Sequence, residues 1–164
     1  ELADVICFFC DARDGMTPDD EEVAELLRRA RKPVLLVVNK LDHAGLNDVL
    51  YEFYGLGLGE PIGSLAVVRG RDDIAQCELG YCIGKAWWGR VIMTEAVKEV
   101  IRYLFQEVGM NRIEAAHDVH NPASGKVMQK AGMTFEGVHR QASKNNTGVC
   151  DIAIYAILAK DYIE

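Results

Sequence analysis

The 164-residue sequence has no long hydrophobic run and no excess of basic residues. No apolar run reaches the ~20 residues that a membrane-spanning helix needs, so we expect no membrane partner. Acidic residues outnumber basic ones by 25 to 18, which gives a formal net charge of −7 and argues against broad nucleic-acid binding. The sequence also has no Gly-x-x-x-x-Gly-Lys-Ser/Thr segment, which excludes a P-loop phosphate site.

Cysteines are few, and their spacing does not indicate a metal site. The five are Cys7, Cys10, Cys77, Cys82 and Cys150. Their odd number and their places in apolar runs predict reduced, buried thiols in a cytoplasmic protein. Cys7 and Cys10 have a redox or zinc spacing, but no second pair stands at metal spacing, and strand residues three apart point to opposite faces. We therefore predict no metal.

The first sixty residues have the pattern of two parallel strands, each followed by a helix. Residues 4–10 are a continuous apolar run that predicts a buried strand. A helix is predicted from Thr17 as N-cap and Pro18 as first helical residue. Residues 33–38 predict a second buried strand, and residues 46–54 a short helix. This order is that of a βαβ unit with a right-handed crossover.

The remaining residues alternate strand and helix patterns of a different kind. Residues 62–69 and 74–83 predict a hairpin, and apolar positions at helical spacing predict a long helix over residues 92–108 that ends at Gly109. Residues 111–119 predict a strand, and Asn121 as N-cap with Pro122 predicts a second helix. Residues 134–142 and 148–159 predict a closing hairpin.

Charge separates the two parts of the chain. Residues 1–61 hold 6 basic and 13 acidic residues, whereas residues 62–164 hold 12 of each. We predict two segments, 1–61 and 62–164, packed as one three-layer α/β domain with a mixed sheet. Parallel strands of the first segment would join a mostly antiparallel sheet with two helices from the second.

The stretch over residues 78–96 is the strongest candidate for a binding site. It has the pattern of a strand, a glycine-marked turn and the first turns of a helix. Such a turn directs several unpaired backbone N–H groups toward one point, which is the geometry that binds a phosphate or pyrophosphate.

The first segment resembles a Der/EngA-type ribosome-assembly GTPase. The matching runs are Asp-Ala-Arg-Asp-Gly-Met-Thr-Pro, Lys-Pro-Val-Leu-Leu-Val-Val-Asn-Lys-Leu-Asp and Tyr-Glu-Phe-Tyr-Gly-Leu-Gly-Leu-Gly-Glu-Pro-Ile. The resemblance implies that Asp42 binds the guanine base, that Asn39 braces the loop and that the Lys40 stem packs over the ring. Because phosphate ligands are absent, we treat these three residues as vestigial and expect no GTP hydrolysis.

The second segment resembles the GNAT acetyltransferases, in particular the branch that acetylates ribosomal-protein N-termini. The matching runs are Glu-Leu-Gly-Tyr-x-Ile, Trp-Trp-Gly-Arg-x-x-Met-Thr-Glu-Ala, Asn-Pro-Ala-Ser and Lys-Ala-Gly-Met-x-x-Glu-Gly. The resemblance implies acetyl-CoA binding, with Asn121 at the pantetheine arm, Ser124 as proton donor to the thiolate and Glu78 as general base or amine-binding group. The residues whose backbone would hold the pyrophosphate are Trp88, Gly89, Arg90, Val91, Ile92 and Met93.

Two departures from the family pattern argue against activity. Val91 stands where the family has Gly or Ala, and its β-branched side chain crowds the phosphate position and restricts the backbone. The family's first strand and first two helices are replaced by residues 1–61. The interpretation that these departures favour is an engineered or recombined chimera without evolved activity, in which weak acetyl-CoA binding is left open. The alternative is an acetyl-CoA-dependent N-acetyltransferase that acts on an amine.

Other aromatic and ionisable residues receive structural interpretations. We expect Trp87 and Trp88 to be packing anchors. We expect His117 and His120 to be surface or loop residues, since no carboxylate partner is evident for either histidine. Apolar faces or strand edges that neither segment covers would favour a homodimer.

Overall fold

The structure, a computed structural model, describes residues 6–11, 16–30, 34–39, 57 and 62–162. The chain divides into two compact units. The first unit contains Glu1–Arg69 and Tyr81–Ile92, and the second contains Gly70–Gly80 and Met93–Glu164. Within the described ranges, no helix has the length and apolar character needed to cross a membrane. The segment boundary at residue 61 stays a prediction.

In the described part of the first unit, three parallel strands lie in the order β1-β2-β3. β1 (Ile6–Asp11) pairs with β2 (Val34–Asn39) over six residues, and the 13-residue helix α1 (Pro18–Ala30) connects them. β2 pairs in parallel with β3 (Gly63–Arg71), with Val37 opposite Leu65. The predicted βαβ pattern is thus confirmed. Its second strand, β2, pairs with β3, whose residues belong to the second segment of the sequence.

Helix α1 begins at the residues that the sequence predicts. Thr17 and Asp20 form a reciprocal capping box: the Asp20 N–H donates to Thr17 Oγ1 at 3.2 Å, and the Thr17 N–H donates to Asp20 Oδ2 at 2.9 Å. The two bonds satisfy backbone donors at the helix start. The predicted helix over residues 46–54 lies outside the described residues.

The second unit contains a mixed sheet with the strand order β4-β5-β7-β6. β4 (Gln76–Ile83) runs parallel to β5 (Arg112–Asp118), while β7 (Gly148–Leu158) is antiparallel to both β5 and β6 (Thr134–Asn145). Its two helices are α2 (Ile92–Gln106) and α3 (Pro122–Lys130). The α/β class and the mixed sheet are therefore confirmed.

Helix α2 supplies much of the buried apolar surface of the second unit. Its inward positions follow the helical spacing of the sequence, and burial of each large side chain contributes about 1.5–3 kcal/mol. The helix ends at Gln106, two residues before its predicted end, and Gly109 follows with φ +77°. The Met110 N–H donates to the Leu104 carbonyl at 2.9 Å and so satisfies an acceptor of the last turns. The buried residues of α2 are Met93, Thr94, Ala96, Val97, Val100, Ile101 and Leu104.

The hairpin of β3 and β4 is also present. Within the first unit, Ser64 Oγ lies 3.2 Å from Cys82 Sγ. Cys82 is exposed, so the prediction that the cysteines are buried is wrong at this position, because the outer face of β4 reaches solvent there. Cys10, Cys77 and Cys150 are buried as expected, and burial raises the pKa of the Cys10 and Cys77 thiols to about 12.

One side chain connects two strands that are not neighbours. Arg112 on β5 donates from Nε to Glu114 at 2.7 Å and from Nη1 to Glu136 on β6 at 3.0 Å. Because β7 lies between β5 and β6, this ion pair spans the middle strand. The guanidinium holds the pKa of the Glu136 carboxyl below its usual value.

Candidate functional site

The loop between β4 and α2 has the backbone geometry of an anion site. A short 3₁₀ turn over Lys85–Trp87 opens it, with the Trp87 N–H donating to the Gly84 carbonyl at 2.9 Å. Among the described residues, the N–H groups of Gly89, Arg90 and Val91 donate to no backbone carbonyl. Helix α2 begins at the next residue, so its N-terminal N–H groups follow directly. Such groups together attract a phosphate.

Two residues of this loop have left-handed backbone conformations. Gly89 has φ +75°, which glycine adopts without cost, and Val91 has φ +66°. A left-handed conformation costs an L-residue roughly 1–2 kcal/mol, and a β-branched residue is rarely found there. The observed strain at Val91 agrees with the prediction that this residue restricts the backbone. The Val91 side chain is half exposed.

The two tryptophans of the loop differ in their surroundings. Trp88 is 62% exposed, and its Nε1–H donates to the Ile83 carbonyl at 2.9 Å. The prediction of a packing anchor is therefore wrong for Trp88, because its one polar group holds the ring on the surface of the loop. Trp87 is partly buried, and the Arg90 guanidinium lies 4.9 Å from its ring centre, which is a cation–π contact.

The turn between β5 and α3 presents Asn121 and Ser124. Asn121 is the N-cap residue of α3 as predicted, with Pro122 following, but its exposed side chain makes no capping hydrogen bond. Backbone bonds hold the turn instead: the Asn121 N–H donates to the Asp118 carbonyl at 2.7 Å, and the Ser124 N–H to the Asn121 carbonyl at 3.2 Å. The Asn121 amide thus contributes nothing to closing its own helix end.

A carboxylate that the sequence analysis did not select lies at the centre of this turn. Asp118 Oδ1 accepts the His120 N–H at 2.9 Å and lies 3.1 Å from His120 Nδ1, and Oδ2 accepts from Asn145 Nδ2. The prediction that His120 has no carboxylate partner is therefore wrong. The spacing Asp118-x-His120 is typical of an Asx turn and is the signal that could have revealed it.

His120 is a surface residue as predicted, with 86% of its side chain exposed, but His117 is not. It lies half-buried on β5, its Nδ1 is 2.7 Å from the Asp118 carbonyl oxygen, and its ring stacks on Tyr155 at 5.7 Å between centroids. A carbonyl only accepts, so Nδ1 carries the proton of this bond. The backbone N–H of His120 and the side chain of Asn145 hold the pKa of the neighbouring Asp118 carboxyl below its usual value.

Glu78 lies in the middle of β4, directly opposite Glu114 of β5 in the parallel register, and is half-buried. It shares the second unit with Asn121, Ser124 and Met93, of which Met93 is buried in α2. The other loop residues of the candidate set, from Trp88 to Ile92, belong to the first unit.

The residues suggested for guanine binding are only partly described. Asn39 is the last residue of β2 and pairs with Asp11 of β1. Lys40 and Asp42 lie outside the described residues. In the part of the chain that the structure describes, no three His, Cys, Asp or Glu side chains are grouped so that they could hold a metal ion.

Comparison with known proteins gives one family match and a partial similarity to a GTPase. Residues 3–134 match the Acetyltransferase (GNAT) domain. A 62-residue stretch is 55% identical to GTPase Der of Clostridium perfringens, and it covers 38% of this chain but only 14% of that protein. The chain therefore spans about one seventh of the curated relative.

Solved structures similar to this chain are acetyltransferases. A probable acetyltransferase has a TM-score of 0.61 at 28% identity, over 64% of this chain and 59% of its own. Ribosomal-protein-S5-alanine acetyltransferase of Vibrio fischeri has a TM-score of 0.58 at 25% identity, over 63% and 57%. A ribosomal L7/L12 alpha-N-protein acetyltransferase in complex with coenzyme A, TM-score 0.58 over 62% and 57%, is 23% identical and shares the fold alone.

Proposed function

Since the chain belongs to the GNAT acetyltransferase family, we propose that it is an acetyl-CoA-dependent N-acetyltransferase that acts on an amine. The observation that carries the proposal is the loop before α2. Its backbone turns through two left-handed residues, leaves three successive N–H groups without backbone acceptors in the described chain, and leads directly into a 15-residue helix. This geometry suits a pyrophosphate.

The other predicted residues support the same chemistry. Bound acetyl-CoA supplies an acetyl group as a thioester. Glu78 would accept the proton of the attacking amine, and Ser124 would donate a proton to the sulfur as the carbon–sulfur bond breaks. Asn121 presents an amide that its own helix does not use, which suits a hydrogen bond to the amide groups of the pantetheine arm.

The comparisons favour this function over a chimera without activity. The family match includes most of the chain, and the similar structures are acetyltransferases, so the inert interpretation loses its support. The Der-like stretch remains a real similarity, but it covers too little of that GTPase to carry its activity to this chain.

An N-terminal peptide amine is the acceptor class that we propose. The printed name of one similar structure, ribosomal-protein-S5-alanine acetyltransferase, and the matching runs of the second segment support this acceptor class. The acceptor would enter beside Glu78, whose carboxylate suits a cationic amine before the proton is removed.

An acetyl-transfer assay tests the proposed function. Release of the CoA thiol is followed with peptides that begin with Ala or Ser and, as a control, with the same peptides blocked at the N-terminus. We expect thiol release with open peptides only, and a fall of about 10²-fold or more for Glu78→Gln. Equal release with open and blocked peptides would contradict transfer to the N-terminal amine.

A further inference from the structure

We propose that Asp118 is a positioning residue that orients Asn121 toward the pantetheine arm, an inference that rests on the proposed function. Asp118 is the last residue of β5, and its side chain is 21% exposed. Its carboxylate and its backbone carbonyl connect the turn that contains Asn121 to the tip of the β6–β7 hairpin. All of these residues belong to the second unit.

The first connection lies inside the turn. The Asp118 carboxylate accepts the His120 N–H at 2.9 Å, and the Asp118 carbonyl accepts the Asn121 N–H at 2.7 Å. The same residue thus fixes the backbone on both sides of His120. Because the Asn121 side chain makes no capping bond, its direction depends on this backbone.

The second connection runs to the hairpin tip. Asn145 Nδ2 donates to the other Asp118 oxygen. The side-chain amide oxygen of Asn145, Oδ1, accepts from the Thr147 N–H at 2.8 Å and from Thr147 Oγ1 at 2.7 Å. The amide of Asn145 therefore has a fixed orientation, since its oxygen is occupied by two donors and only its NH₂ group can face Asp118.

A third contact comes from β7. Burial and the charge of the Asp118 carboxylate raise the pKa of the buried Cys150 thiol. Because His120 donates to one Asp118 oxygen and Asn145 to the other, an acceptor-only carboxylate is required at position 118. A neutral amide there would direct its NH₂ group at one of these donors. Replacement of Asp118 by Asn thus disturbs the turn while preserving the size of the side chain.

The test compares two ligands that differ only in the pantetheine half. Calorimetric titration measures Asp118→Asn against acetyl-CoA and against adenosine 3′-phosphate 5′-diphosphate, which has the nucleotide but no pantetheine. We expect affinity for acetyl-CoA to fall about tenfold, which corresponds to about 1.4 kcal/mol, and affinity for the nucleotide to stay unchanged. A purely structural loss would weaken both ligands alike and would overturn the proposal.

Two further variants complete the experiment. The double variant Asp118→Asn with Asn145→Asp reverses donor and acceptor, keeps an oxygen for Thr147, and should restore most of the lost affinity. Asp151→Asn is the matched control, because Asp151 also carries a carboxylate on this hairpin that accepts a backbone N–H, from Gln141 at 2.8 Å, and it should bind acetyl-CoA as the wild type does. An equal loss for Asp151→Asn would overturn the role of Asp118.

The outcomes separate the two proposals. If the wild type binds acetyl-CoA and Asp118→Asn binds it equally well, the role of Asp118 fails and the proposed function stands. If the wild type binds no acetyl-CoA, the proposed function fails, and the role of Asp118 fails with it.

Discussion

Val91 has a backbone conformation that is unfavourable for a β-branched side chain. Its φ of +66° gives the loop the left-handed step that precedes α2, yet a β-branched residue is among the least suited to that step. The strain is present without ligand, so it reduces the stability of the folded chain. The exposed side chain also stands beside the N–H groups to which we assign the pyrophosphate.

Replacement of Val91 by Gly should therefore improve both stability and binding. Relief of roughly 1–2 kcal/mol of strain exceeds the ~0.5–1 kcal/mol that glycine costs through the unfolded chain, so the free energy of unfolding should rise by about 0.5–1 kcal/mol. Affinity for acetyl-CoA should rise as well, because no side chain then borders the anion. Denaturant unfolding and calorimetric titration measure the two effects.

Val91→Ala is the matched control for this change. Alanine removes the branch but keeps a Cβ, so most of the left-handed strain remains and only the crowding near the anion is reduced. A Val91→Gly variant that binds acetyl-CoA no better than wild type would contradict the crowding argument.

Single residues were predictable from sequence where one local rule decides their role. Thr17 as N-cap is confirmed. Gly109 has the left-handed φ of a glycine that follows a helix, but α2 ends at Gln106 and not at the predicted Val108. The exposure of Cys82 and Trp88 was not predictable, because it depends on which face of the folded chain reaches solvent. The contact between Asp118 and His120 was predictable from their spacing, which is typical of an Asx turn. The left-handed φ of Ala75 and Gln141 has no signal in the sequence.

Helix α3 packs so closely on β5 that glycine is needed at one of its positions. A Cβ on Gly125 would lie 2.5 Å from His117 Nε2. The His117 ring cannot easily move away, since its Nδ1 bonds to the Asp118 carbonyl and its face lies on Tyr155. The position of α3, and with it of Ser124, thus depends on this contact.

Gly125→Ala should destabilise the protein by about 1–2 kcal/mol, because overpacking of about 1–3 kcal/mol exceeds the ~1 kcal/mol gained in helix propensity. The same substitution in a His117→Ala background should be neutral or stabilising, because the obstructing ring is gone. Urea unfolding of the four proteins measures the coupling. Equal destabilisation in both backgrounds would show that the steric contact with His117 is not the cause.

Helices and strands whose apolar residues recur at a regular spacing were predicted well, and irregular strands were predicted less well. Helix α2 and the strands β1 and β2 follow from their apolar spacing. Strand β6 continues to Asn145, three residues beyond its predicted end, and contains register shifts before Gly137 and before Ser143. Its polar, exposed residues carry no alternation that could predict such bulges, which depend on pairing with β7.

At the scale of the whole molecule, the chain combines a family match to acetyltransferases with a stretch similar to a GTPase. The parallel pairing of β2 with β3 gives the Der-like segment a structural role, because it covers the edge that β3 would otherwise leave unpaired. The sequence allowed both resemblances and the mixed sheet to be predicted. The roles of Glu78, Ser124 and Asn121 remain proposals, since their chemistry depends on a ligand.

Calorimetric titration of the wild-type chain with acetyl-CoA tests the central claim most directly. The open N–H groups of the loop predict one-site binding in the micromolar range, about −8 kcal/mol for a Kd near 1 μM. The control ligand is acetylated pantetheine, which lacks the pyrophosphate and should bind far more weakly. Absence of binding at millimolar acetyl-CoA would contradict the claim that this loop is a working cofactor site.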